Sequence, residues 1–245
     1  MDPATPPPAL PSAGASRQPR DVKPGELPPL REMGQLARGL TLLFWALPFV
    51  LVLAVLTART SMLGQAGFWP ALLATGLLVV ALQEMRPFRS QDRAWQRASD
   101  RARFLALGMT GLTPFLHWWQ LAPGHTHYEI CGLLFFLGGL LFLLNLAFLL
   151  LRAATLLAEP SLEDEARLFL GVNVPLIGAV LALGLAWIGV MRSPLGPRLA
   201  ATMGPLLMRV GSIGLLLLLV TVALNMTLLW KLKQSILDTA FQTRD

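Results

Sequence analysis

Six apolar runs separated by polar or basic stretches organise the chain: Gly39–Ala58, Gly67–Leu82, Phe104–Ala122, Ile130–Leu151, Leu168–Met191 and Val210–Trp230. A bilayer hydrocarbon core of about 30 Å takes about 20 helical residues, with a working range of roughly 17–25. Five runs have that length. The second is short, and Phe68 and Trp69 at its edge extend its usable span. Polarity does not alternate along any run, which argues against barrel strands. In lipid the backbone must satisfy its own hydrogen bonds, so the runs read as helices. The expected fold class is all-α: a polytopic membrane protein, a bundle of six transmembrane helices.

Composition supports that solvent. The chain has 245 residues, of which 54% are hydrophobic and 14% charged; a soluble domain carries about 25% charged residues. Lys and Arg favour the cytoplasmic side of a membrane. With six spans and the N-terminus inside, 16 basic residues fall inside and 4 outside. Both tails are therefore expected in the cytoplasm (N-in/C-in). The net charge of +6 is then a signal of topology, and no nucleic-acid partner is expected. The first apolar run follows 38 polar residues, too long a lead for a cleaved signal peptide. One cysteine gives no intrachain disulfide. Arginine outnumbers lysine, and Leu, Ala, Gly and Pro are abundant. We read that as a bacterial composition and expect the inner membrane.

The segments between and around the runs differ in character. Residues 1–38 are rich in Pro, Ser and Ala and are expected to form a disordered cytoplasmic tail. Residues 231–245 form a second cytoplasmic tail. Residues 83–103 predict a separate amphipathic helix, with Phe88, Trp95, Ala98 and Ala102 on one side and Arg89, Arg93, Arg97 and Arg101 on the other. Its basic stripe suits anionic lipid or an acidic protein partner. The stretch "AEPSLEDEAR" offers an internal partner, because Glu159, Glu163, Asp164 and Glu165 lie on the same expected side. Asn145, Asn173 and Asn225 fall within spans, where each can hydrogen-bond to a neighbouring helix. Gly178, Ala182 and Ala186 repeat every four residues and permit close helix approach. Pro48, Pro114 and Pro175 also fall within runs. No repeat is evident between the first three runs and the last three.

Motifs for common membrane chemistry are missing. No Asp, Glu or Lys lies in the core of a run, which disfavours a carboxylate proton relay. No G-x-x-x-x-G-K-[ST], H-E-x-x-H or G-x-S-x-G occurs, and no enzymatic activity is expected. The stretch "HWWQLAPGHTHYEIC" holds every histidine, the only tyrosine and the only cysteine. A Pro-Gly turn would bring His117, His125, His127 and Glu129 onto one outer patch. The H-x-H pair points one way if its backbone is extended, and imidazole with carboxylate suits Zn²⁺ or Cu²⁺. His117 also offers an axial ligand for haem. Against this, Trp118, Trp119 and Tyr128 are the aromatic residues a membrane interface collects anyway.

Three functions follow in order of expectation. The first is a non-enzymatic accessory or structural membrane subunit, working as a homo- or hetero-oligomer. The second is a small carrier or permease component for an apolar or neutral substrate. The third is an outer-face metal- or haem-binding protein.

Overall fold

The computed structural model describes residues 30–59, 66–88, 92–122, 124–157, 160–192 and 196–242. These form six α-helices: α1 Leu30–Arg59, α2 Trp69–Met85, α3 Arg93–Leu121, α4 Thr126–Leu156, α5 Pro160–Arg192 and α6 Gly196–Gln242. Four of them, α1, α4, α5 and α6, are long and apolar enough to cross a membrane, and α2 is a shorter apolar helix of 17 residues. Most of the N-terminal tail, Arg89 and Glu159 lie outside the described residues.

The helices outrun the apolar runs that predict them. α1 starts at Leu30 rather than Gly39, so residues 30–38 belong to a helix and not to the tail. Met33, Leu36, Leu40 and Leu43 are all buried, and their spacing makes one helical stripe. That stripe is amphipathic, which is why a search for unbroken apolar sequence misses its first turns. α6 likewise continues past Trp230 to Gln242, held by buried Leu232 and Ile236. The acidic stretch expected as a loop forms the first turns of α5.

The separate amphipathic helix at 83–103 is corrected. α2 ends at Met85; Arg86 keeps helical angles, but Pro87 after it has no backbone N–H to continue the helical ladder. The chain re-enters helix at Arg93 and runs unbroken to Leu121. Asp92 caps this entry. Its carboxylate accepts the N–H of Ala94 at 2.8 Å and of Trp95 at 3.3 Å. The basic segment is thus the first third of a 29-residue helix. Its predicted apolar side is real: Phe88, Trp95 and Ala102 are fully buried, with the Phe88 and Trp95 rings edge to face at 5.3 Å.

The bundle is built as two triangles. α1, α2 and α3 pack against one another, as do α4, α5 and α6; α3 meets α4 and α1 meets α6. α1 and α4 make no close backbone approach, and a cavity separates them. The C-terminal halves of α1, α3 and α5 line that cavity together with the N-terminal half of α4. The two triads therefore run in opposite senses, up-down-up and down-up-down.

Small residues and a few polar bonds close the joints. A Cβ on Gly39 would stand 2.8 Å from the Ala81 carbonyl oxygen, and closer still to the Met85 side chain; α1 and α2 touch backbone to backbone there. The Thr75 and Thr113 hydroxyls meet at 3.3 Å between α2 and α3. Asn145 of α4 donates to the Ala98 carbonyl of α3 at 2.9 Å. At the end of the bundle that carries the arginines, Arg152 of α4 clasps Asp92 at 2.8 Å, and Lys231 of α6 pairs with Glu165 of α5 at 2.7 Å. The second pair is largely exposed and contributes only about 0–1 kcal/mol.

Two predictions follow from these joints. Gly39→Ala forces α1 and α2 apart and should cost about 1–3 kcal/mol, the usual range for overpacking. Gly34→Ala, where a Cβ meets nothing within 4 Å, should not lower the thermal midpoint in detergent, alanine being the better helix former. Burial pushes the Asp92 carboxyl up, but the Ala94 N–H, the Arg152 guanidinium and the Trp95 N–H outweigh it, holding the pKa below its ordinary 3.8. The stabilisation from a depressed carboxylate is complete above the ordinary value and is lost as pH falls through the lowered one. Asp92→Asn should therefore lower the thermal midpoint at neutral pH, and the gap to wild type should close as the pH drops below about 3.8.

Candidate functional site

The cavity between the triads has a volume of about 640 Å³, within the roughly 300–1,000 Å³ typical of small-molecule sites. Its walls are almost wholly apolar. Ala54 and Ala58 of α1, Met109 of α3, Phe136 and Leu143 of α4 and Trp187 of α5 are representative. From Glu129 to Leu143, both lining residues, α4 rises about 21 Å at 1.5 Å per residue. That exceeds half of the roughly 30 Å hydrocarbon core. Among the described residues that line it, Glu129 alone is ionisable, and it sits at the end shared by the C-termini of α1 and α3.

Glycines shape the walls. A Cβ on Gly184 would meet the Phe136 ring at 3.2 Å, and one on Gly132 would meet the Trp119 ring at 3.1 Å. Each glycine lets an aromatic ring of a neighbouring helix come close to its backbone. The sequence carries no signal for this role, because the cavity needs α1 and α4 to be placed opposite each other across the bundle.

The histidine stretch separates into different surroundings. Gly124 takes φ +90° and turns the chain between α3 and α4; only glycine adopts this backbone without strain. His125 is the extended N-cap of α4, whereas His127 is already helical. The H-x-H pair is therefore not on an extended segment, and residues two apart on a helix do not share a face. His127 packs edge-on to Phe115 at 5.7 Å and to Tyr128 at 5.7 Å, with its Nε2 3.9 Å from the Cys131 Sγ. His125 stacks edge-on to Tyr128 at 5.9 Å. His117 faces the Gly67 turn before α2. Glu129 lines the cavity. Among the described residues, no three His, Cys, Asp or Glu side chains come together to hold a metal ion. The His125 and His127 imidazoles belong to an aromatic cluster with Phe115, Trp118 and Tyr128.

The basic stripe and the acidic stretch do not meet. Glu163 pairs with Arg167 one turn along α5, and Glu165 pairs with Lys231. Arg93, Arg97 and Arg101 are exposed, and no acid among the described residues pairs with them. Of the α5 acids it is Glu165 that reaches a neighbouring helix, and that helix is α6.

The three asparagines differ. Asn145 makes the interhelical bond expected of it. Asn225 donates within its own helix, to the Thr221 carbonyl at 2.9 Å. Asn173 and Asn225 are both buried, and neither Oδ1 finds a partner among the described residues. Counting from the Glu165–Lys231 pair, the two lie within about two residues of the same depth, or about 3 Å. The small-residue stripe of α5 points outward: Gly178, Ala182 and Ala186 are all exposed.

No protein-family model, curated protein or solved structure matches this chain. The class is set by the helices themselves, a helical bundle with four members able to cross a membrane.

Proposed function

We propose that this is a membrane-embedded carrier-type protein for an apolar or singly headed amphipathic small molecule, bound between two oppositely running three-helix halves. The observation that carries this reading is the apolar cavity between α1 and α4 with Glu129 at one end. A site between inverted triads near the middle of the membrane is the usual arrangement of secondary carriers. An apolar cargo needs no carboxylate relay, which suits a chain with no Asp, Glu or Lys in the core of any apolar run. Under this reading α2 and α3 cross as well, giving six spans. The arginine end then faces the cytoplasm by the positive-inside rule, and the proposed bacterial inner membrane stays consistent with that charge split.

Ligand retention tests it. Protein in mild detergent should co-purify with, or bind, an apolar fluorescent probe at about one per chain. Ala54→Phe, which places a ring in the cavity, should weaken binding at least ten-fold, equivalent to about 1.4 kcal/mol. Binding that Ala54→Phe leaves unchanged would remove the cavity as the site. Proteoliposome uptake of the same probe separates a carrier from a static binding protein.

A second reading, an accessory subunit that associates through α5, is favoured by one observation. Only 17% of the apolar window of α5 is buried, against 44% for α4, and its exposed face carries Gly178, Ala182 and Ala186. Small residues on an exposed face allow a further helix to approach closely. Under this reading, Gly178→Leu/Ala182→Leu converts a cross-linkable oligomer into a monomer while probe binding persists.

A further inference from the structure

The exposed face of α3 joins charge to apolar surface along one line. At 3.6 residues per turn, Arg93, Arg97, Arg101, Phe104, Leu107, Gly108 and Gly111 fall within one arc of about 120°. All seven are exposed. The opposite arc, with Trp95, Ser99, Ala102 and Ala106, is buried in the bundle. The arginines therefore point the same way as the lipid-facing residues above them. Asp100 is the one acid on this face, and it turns to Arg103 at 4.0 Å. Asp92 is held by Arg152, and Glu163 and Glu165 are paired within α5 and with α6. These four acids are engaged elsewhere, and among the described residues no acid pairs with Arg93, Arg97 or Arg101.

We propose that this face binds an anionic diacyl phospholipid, with its phosphate on Arg97 and Arg101 and a chain along Phe104, Leu107, Gly108 and Gly111. Depth agrees with this placement. Taking Phe104 as the edge of the hydrocarbon, Arg101 stands about 4.5 Å and Arg97 about 10.5 Å beyond it. The headgroup layer on each side of a bilayer is roughly 5–7 Å thick, and the long arginine stem lets Arg97 reach back to it. A Cβ on Gly108 or Gly111 would meet nothing within 4 Å, so the two glycines leave a shallow groove between Phe104 and the next turns. An acidic protein would match the arginines but would leave the apolar continuation uncovered, whereas a phospholipid matches both.

The test uses the full chain in nanodiscs of phosphatidylcholine containing a minority of phosphatidylglycerol, followed by exchange into mild detergent and mass spectrometry of the retained lipid. Wild type should be enriched in phosphatidylglycerol. Arg97→Gln/Arg101→Gln should reduce the enrichment on the order of ten-fold. Arg31→Gln/Arg86→Gln, which removes the same charge from other exposed positions, should retain it. Gly108→Leu/Gly111→Leu should also reduce it, by filling the groove. No enrichment in wild type, equal loss in both arginine variants, or no effect of the glycine variant overturns the proposal. So does displacement of the lipid by inorganic phosphate or a poly-glutamate peptide as readily as by free phosphatidylglycerol.

Discussion

Lipid removes the usual reason for helices to associate. Acyl chains are as apolar as leucine, so burying one helix against another gains little hydrophobic free energy, and close contact with a few hydrogen bonds must hold the bundle. The joints reflect this constraint. Gly39 brings the backbones of α1 and α2 together, Thr75 meets Thr113, and Asn145 reaches the Ala98 carbonyl. Contact of this kind is local. Where it is missing, between α1 and α4, nothing pulls the helices together and the cavity stays open.

The two ends of the bundle solve different problems. At the arginine end, Asp92 joins the start of α3 to Arg152 of α4, and Glu165 joins α5 to Lys231 of α6. Each pair spans neighbouring helices and fixes their relative position more than it adds stability. At the other end the helices are joined by rings. His125, His127, Tyr128, Phe115 and Trp118 stack edge to face across the α3–α4 turn. Aromatic rings with a polar edge suit the headgroup level, where one side of the residue is dry and the other wet.

The cavity ties these features together. It begins at the aromatic end, with Trp119 and Glu129, and runs inward to Met109 and Leu143. The aromatic cluster and the cavity share α3 and α4, so the turn at Gly124 positions both. The charged clasps lie at the far end of the same helices and hold them without entering the apolar interior.

The sequence by itself determined the helical class, the approximate place of each helix and the buried side of the basic segment. Apolar run length and the 3.6-residue period act within one helix, and Phe88, Trp95 and Ala102 were legible for that reason. Asn145 was legible as an interhelical donor, though not its partner. Only the tertiary structure decided which faces meet. The period of α5 shows a small-residue stripe, but whether it turns inward depends on where α4 and α6 lie, and it turns outward. Glu165 was expected on the same side of the membrane as the arginine stripe, yet its carboxylate pairs with Lys231. The histidines sit close along the chain, but the helix that starts after His125 rotates His127 onto Phe115 and Glu129 into the cavity lining. The cavity left no mark in the sequence, because a space between two helices is a property of their separation and not of either one.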